Sequence, residues 1–226
     1  MDSASTASIV ALSLKVAIVG TILSLPLAVA VAWLLARRRF WGHGIVNALV
    51  HLPLVVPPVV TGFLLLRVFG RRGAVGAFLE DTLGVTLAFR WTGAALAAAV
   101  MGFPLMVRAI RLAIERVDPA LEAAAATLGA SRAWTFAVVT LPLALPGVLA
   151  GIVLAFAKAL GEFGATITFV SNIPGETQTI ALAIYNLTQD PTGDAALWRL
   201  VWISMAISFA ALLASEWLAR KMERRR

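Results

Sequence analysis

Five long apolar stretches carry no Lys, Arg, Asp or Glu, and runs of that kind fix the solvent of a chain before they fix its fold. A helix crossing about 30 Å of hydrocarbon needs about 20 mainly apolar residues. Val16–Ala36 supplies 21 and ends at Arg37, Arg38 and Arg39. Gly44–Leu66 supplies 23, although Pro53, Pro57 and Pro58 must kink or break it. Trp91–Val107 supplies 17 and can extend to Ile110. Ala133–Ala157 is a longer uncharged run that continues past Lys158 and Glu162 to about Val170. Leu200–Ser215 supplies 16, framed by Trp198, Trp202 and Trp217 as an aromatic belt would be. The first run is too long for the apolar part of a leader and follows no basic segment, so a first span is expected there.

Hydrophobic residues make up 60% of the 226 and charged residues 14%, against about 45–50% and about 25% in soluble domains. A chain of this length buries one ordinary core and must still cover it with polar surface. A lipid-facing exterior removes that requirement. The net charge of +7 sits in short blocks at the ends of the apolar runs, not interleaved with aromatics along a polar face. No nucleic-acid partner is therefore expected, and the bilayer is the expected surroundings. With no cysteine, disulfides, thiolate catalysis and Cys-ligated metals are excluded.

The expected fold is all-α and integral to the membrane: one transmembrane domain over residues 1–226. Five spans are expected at about 10–36, 44–69, 88–113, 133–170 and 196–218, the second and fourth irregular. Lys and Arg set the orientation. With the C-terminus inside, the inner segments hold 12 of them, from Arg37–Arg39, the loop after the third span and the C-terminal tail. The outer segments then hold 6: Lys15, Arg67, Arg71, Arg72, Arg90 and Arg199. The bias favours the N-terminus outside and the C-terminus in the cytoplasm.

The inner loop following the third span has its own punctuation. Asp118 is a good N-cap, and Pro119 fits the first helical position, where its missing N–H costs nothing. Ala123–Ala126 have the highest helix propensity, and Gly129 suits the left-handed residue that ends such a helix. Ser131 can cap the next helix, which runs towards Leu141-Pro142. The short helix expected at about 119–128, about 15 Å long, is too short to stand alone in water. Physics leaves two readings open: a knob that docks into a groove of another protein, or a plain connector on the membrane surface.

The spacing of this loop resembles the "EAA" loop of ABC-importer permeases: Glu-Ala-Ala, three residues, Gly, nine residues, an aliphatic residue, any residue, Leu-Pro. Gly129, nine residues, Val139, Thr140, Leu141 and Pro142 follow that pattern. One departure stands out. The family's Glu falls on Ala123, and the acidic residue Glu122 lies one position earlier, about 100° round the helix. The resemblance implies a type I ABC importer permease-like fold. It also implies a coupling segment carried by Asp118, Pro119, Glu122, Ala123, Ala124, Ala125, Gly129, Leu141 and Pro142, through which a separate cytoplasmic ATPase dimer drives alternating access. None of Lys15, Lys158 and Lys221 lies in G-x-x-x-x-G-K-[ST], so ATP is expected on the partner and no cofactor on this chain.

Two further stretches, His51–Gly62 and Leu160–Thr179, resemble oxyanion permeases, most closely those for molybdate. Sulfate permeases share the Glu-Phe-Gly element and the Asn-Ile-Pro turn, whereas the full run from Gly161 to Thr177 looks molybdate-like. The resemblance implies import of molybdate, or of its near isostere tungstate, across a bacterial plasma membrane; sulfate or thiosulfate is the alternative substrate. It also implies a homodimer, two ATPase subunits and an external molybdate-binding protein. One docking helix and five spans per chain agree with a two-fold pair.

A tetrahedral dianion crossing the membrane needs hydrogen-bond donors rather than lone positive charges, which would trap it. Candidates for the path or gate are Pro57, Pro58, Thr61, Lys158, Glu162, Phe163, Gly164, Thr166 and Asn172, with Thr168 and Ser171 as further donors. The competing reading is that each hydroxyl bonds its own backbone or a neighbouring helix. Lys158 and Glu162, four residues apart, read as an ion pair with a mainly structural role. His51 reads as a hydrogen bond between helices. An ATP-independent transporter should show an intramembrane proton relay, and a membrane enzyme a convergent catalytic set; two His, one Tyr and no Cys favour neither.

Overall fold

The computed structural model describes residues 3–190 and 193–223; Arg224–Arg226, part of the charge count above, lie outside them. The described residues form helices joined by short turns, with no strand among them. Four helical segments are long and apolar enough to cross a membrane: Ser5–Arg37, Trp91–Glu115, Arg132–Leu160 and Asp194–Ala214. The second expected span is a pair of helices, α2 (His43–Val55) and α3 (Pro58–Phe69), bent by 113° at the break. Counted as one span it brings the number to five.

The break follows from covalent chemistry. Pro57 and Pro58 have no N–H, and the residue before a proline is pushed out of the helical region. Val56 is extended, at φ −72° and ψ 137°, and its own N–H still closes on Leu52 O. Pro57 then stands at the N-cap and Pro58 opens α3.

The long helix α1 (Ser3–Arg37) packs along α5 (Trp91–Glu115), which in turn packs along α8 (Leu141–Leu160). Small residues make these seams. Ala17, Ala28 and Ala32 of α1 and Ala94, Ala95, Ala97 and Ala98 of α5 are buried. A Cβ on Gly20 would sit 2.7 Å from Ala95 O. Between helices in lipid, close backbone approach takes the place of a hydrophobic drive, because hydrocarbon is as apolar as the side chains. Met101, Met106, Val107, Ile110 and Ile114 are buried from the middle of α5 to its C-terminal end, so that helix is the hub. Helix α11 (Asp194–Glu223) is peripheral, with Trp198, Trp202, Phe209 and Leu213 exposed.

The fourth expected span is interrupted. Its regular part ends at Leu160, the chain turns at Gly161–Phe163, and α9 (Gly164–Val170) continues as a separate short helix. The connection between α3 and α5 carries α4 (Ala74–Leu83), and α10 (Ile180–Leu187) precedes α11.

Candidate functional site

The loop singled out by its spacing folds as α6 (Pro119–Thr127) followed by α7 (Arg132–Thr135). Asp118 caps α6, its Oδ1 accepting from Ala120 N at 2.8 Å. Gly129 is left-handed at φ 85°, and Ala130 N–H closes back on Ala125 O at 3.1 Å. Ser131 Oγ accepts from Trp134 N at 3.3 Å and caps α7. Every terminator read from the sequence is thus in use.

Beyond α7 the helix continues into a π segment, Phe136–Thr140, before α8. Pro142 explains it. A proline in a continuous helix cannot bond the carbonyl four residues back and crowds it. The chain responds with one wide turn, in which Leu141 N–H bonds Phe136 O. The Leu-Pro dipeptide therefore marks a wide turn inside a helix that does not end there.

Helix α6 has no buried residue. Ala123 and Ala124 face solvent, with Leu121 and Leu128 exposed, and Trp134 is exposed on the adjoining α7. Glu122 does not share that face. Its Oε1 accepts from Thr140 Oγ1 at 2.6 Å and pairs with Arg37 Nε at 3.2 Å, while Arg37 Nη2 donates to Val117 O at 2.8 Å. Position 123, the register of the family's Glu, points outward; Glu122, one step round, points back at α1 and the π segment. Arg37 and Thr140 are functional candidates that sequence reasoning missed. Their signal was the one-position displacement of Glu122, but the partner lay 85 residues away.

A second constellation gathers most of the proposed path residues where α3 crosses α9. Gly62 faces Ala165 and Thr168, and Gly164 faces Pro58, each so closely that a Cβ would come within 3 Å of the other helix. Thr61 and Thr166 are buried at this crossing. Glu162 is 3% exposed; its Oε2 pairs with Lys158 Nζ at 2.7 Å and its Oε1 accepts from Ala165 N at 3.0 Å. The ion pair read from i,i+4 spacing is present, and the carboxylate also caps α9. The Phe163 ring lies 4.9 Å from that of Tyr185 on α10.

Thr168 donates to Gly164 O of its own helix at 2.9 Å, the bland alternative for an intramembrane hydroxyl. Asn172 stands apart from the crossing, at the far end of α9. Its Nδ2 donates to Leu182 O at 3.3 Å, while its buried Oδ1 has no hydrogen-bond partner. Ser171, at φ 63° and ψ −163°, holds a backbone conformation that residues other than glycine rarely adopt. His51 corrects an expectation: its Nδ1 lies 2.8 Å from Asn47 O of its own helix, not against a neighbour.

Comparison with known proteins bears on the chain as a whole. The family described as "binding-protein-dependent transport system inner membrane component" matches residues 13–224. The molybdenum transport system permease protein ModB of Escherichia coli K12 is 59% identical over 93% of this chain and 92% of its own length. ModB of Haemophilus influenzae is 54% identical over 96% and 95%. The sulfate transport system permease protein CysT of Salmonella typhimurium is more distant, at 34% over 94% and 76%. Among solved structures, a bacterial ABC transporter that imports alginate superposes with a TM-score of 0.76 at 17% identity, over 97% of this chain and 80% of that one. The MetNI methionine ABC transporter superposes at 0.71 and 13% identity, over 98% and 99%. At these identities the likeness is one of fold.

Proposed function

The chain belongs to the family of inner membrane components of binding-protein-dependent transport systems, and on that footing we propose that it is the permease subunit of an ATP-driven importer for molybdate. The observation that carries this reading is the ModB-like sequence, 59% identical to the E. coli protein over 93% of the chain, against 34% for a sulfate permease. Tungstate, with the same charge and shape, is expected to share the pathway.

In this reading α6 is the coupling helix. It is capped at both ends, held to the body by one side chain, and presents small residues with Leu121 and Leu128 outward. Such a surface fits a groove in an ATPase subunit. Two copies of the chain give two coupling helices for two ATPases. The termini lie outside and inside respectively, an assignment supported by the 12-to-6 distribution of basic residues. An external binding protein delivers the oxyanion, and ATP-driven closure of the ATPases rocks the pair between inward- and outward-facing states. The α3–α9 crossing, with Pro57, Pro58, Thr61, Gly164 and Thr166, is the element best built to move as a gate. It is a broken helix held by glycine contacts, and broken helices at membrane depth occur where backbone is buried in protein or lines a cavity.

The test is uptake of labelled molybdate into vesicles holding the permease, ATPase and binding protein. ATP-dependent uptake that a comparable concentration of sulfate does not compete supports the assignment. Equal competition by sulfate moves it to the sulfate class, and uptake without ATP moves it out of the ABC class.

A further inference from the structure

Helix α6 presents a mechanical problem. A push from a docked partner moves the membrane helices only if the short helix is fastened to them, and no apolar residue of α6 is buried against the body. The fastening is polar. Among the described residues Glu122 is the one α6 side chain bonded to another element, and it holds two at once: Arg37 at the last turn of α1, and Thr140 at the end of the π segment that leads into α8. Arg37 completes the arrangement by bonding Val117 O, just before the N-cap of α6. The Arg37 and Glu122 side chains are 15% and 24% exposed, so their bonds are partly shielded from water.

We propose that Glu122, Arg37 and Thr140 form an internal clamp that transmits displacement of α6 to α1 and α8, and that Glu122 is thus a positioning residue of transport and not the acidic contact to the ATPase. The proposal rests on the reading of α6 as the coupling helix. The register supports it: the outward position belongs to Ala123, which offers a partner no charge. The carboxylate of this chain stands one residue earlier, where it meets an arginine and a hydroxyl of its own. The second attachment point lies on the π segment, which runs directly into α8, so a pull on Thr140 acts on the start of that helix. Thr140 is the last residue of that turn, two positions before Pro142.

The experiment compares wild type with Glu122→Ala, Arg37→Ala, Thr140→Val and the Glu122→Ala/Arg37→Ala pair, each assembled with its ATPase and binding protein in vesicles. The readout is molybdate moved per ATP hydrolysed. Glu122→Ala should lower that ratio about tenfold, the scale of one charge-assisted hydrogen bond, while the ATPase still co-purifies with the permease. The double variant should lose less than the two single losses combined, since both remove the Arg37–Glu122 bond while each also removes one of its own, to Thr140 or to Val117 O. Thr140→Val, nearly the same shape, gives a smaller loss and serves if the charge variants insert poorly. Amide exchange of α6 in the same complexes reads the clamp without reference to substrate: protection should drop in Glu122→Ala. An unchanged ratio with unchanged α6 protection overturns the clamp. Loss of ATPase co-purification also overturns it, by showing that Glu122 faces the partner. Failure of the wild-type complex to move molybdate tells against the substrate reading, and the exchange measurement then decides the clamp.

Discussion

Gly62 offers a sharp test of the α3–α9 crossing. A Cβ at that position would lie 2.4 Å from Ala165 O, 2.8 Å from Ala165 Cα and 2.9 Å from Thr168 Cβ. Two of the three atoms are backbone, so no rotamer change relieves the clash; α3 and α9 must separate by about 1 Å to reach ordinary contact. Overpacking of this kind costs about 1–3 kcal/mol. It is opposed by the roughly 0.5–1 kcal/mol by which alanine is favoured over glycine within a helix. Because the clash is with backbone, the upper end of the overpacking range applies, and the net loss for Gly62→Ala is about 2 kcal/mol, or a fall of roughly 4–8 °C in melting temperature for a chain of this size. Gly44, in α2, is the matched control. A Cβ there meets nothing within 4 Å, so Gly44→Ala should be neutral or raise the midpoint slightly. Thermal unfolding of the two purified variants beside wild type decides the matter, and uptake should fail in Gly62→Ala if the crossing must open and close. A Gly62→Ala protein that melts with or above wild type refutes the close packing.

Three other perturbations follow from the same geometry. Lys158→Ala leaves the buried Glu162 without its cation; because the Lys158 side chain is 30% exposed, the cost is about 2–3 kcal/mol, below that of a fully buried pair. Adding Glu162→Gln should recover much of it in thermal unfolding, since the amide oxygen can still accept from Ala165 N. Gly129→Val forces a β-branched residue to φ 85° in open space, a backbone penalty of about 1–2 kcal/mol, and should reduce ATPase co-purification and uptake together. Asp118→Ala removes the N-cap of α6 at a cost of about 1 kcal/mol, read as faster amide exchange over 120–123 with the α5 amides unchanged.

The spans were legible because the thickness of hydrocarbon sets a length that no soluble helix needs. The caps of α6 and α7 were legible because Asp118, Gly129 and Ser131 act on their immediate neighbours. So was the break at Pro57-Pro58, which is covalent in origin. Its 113° bend was not, because α3 packs through Gly62 against α9, about a hundred residues further along the chain, whose own Gly164 meets Pro58. The interruption at Gly161–Phe163 was visible only as irregularity, since an apolar run does not say which of its turns is open. Leu141-Pro142 was read as a spacing marker; its physical effect, a π turn delivering Thr140 to Glu122, needed the partner in view. Glu122 shows the limit most plainly. Helical geometry says that a one-residue shift turns a side chain by about 100°, but only the fold brings Arg37 to meet it.

The central claim, that α6 carries force from a separate ATPase, is open to one direct measurement. The chain has no cysteine, so Ala124→Cys places a unique thiol on the exposed face of α6. In membranes holding the assembled complex, a short reagent with one thiol-reactive and one amine-reactive end should join position 124 to lysines of the ATPase subunit, with a yield that changes when ATP is bound. A thiol that reacts readily yet never joins the ATPase, or that is labelled only from the outer face, would contradict the account.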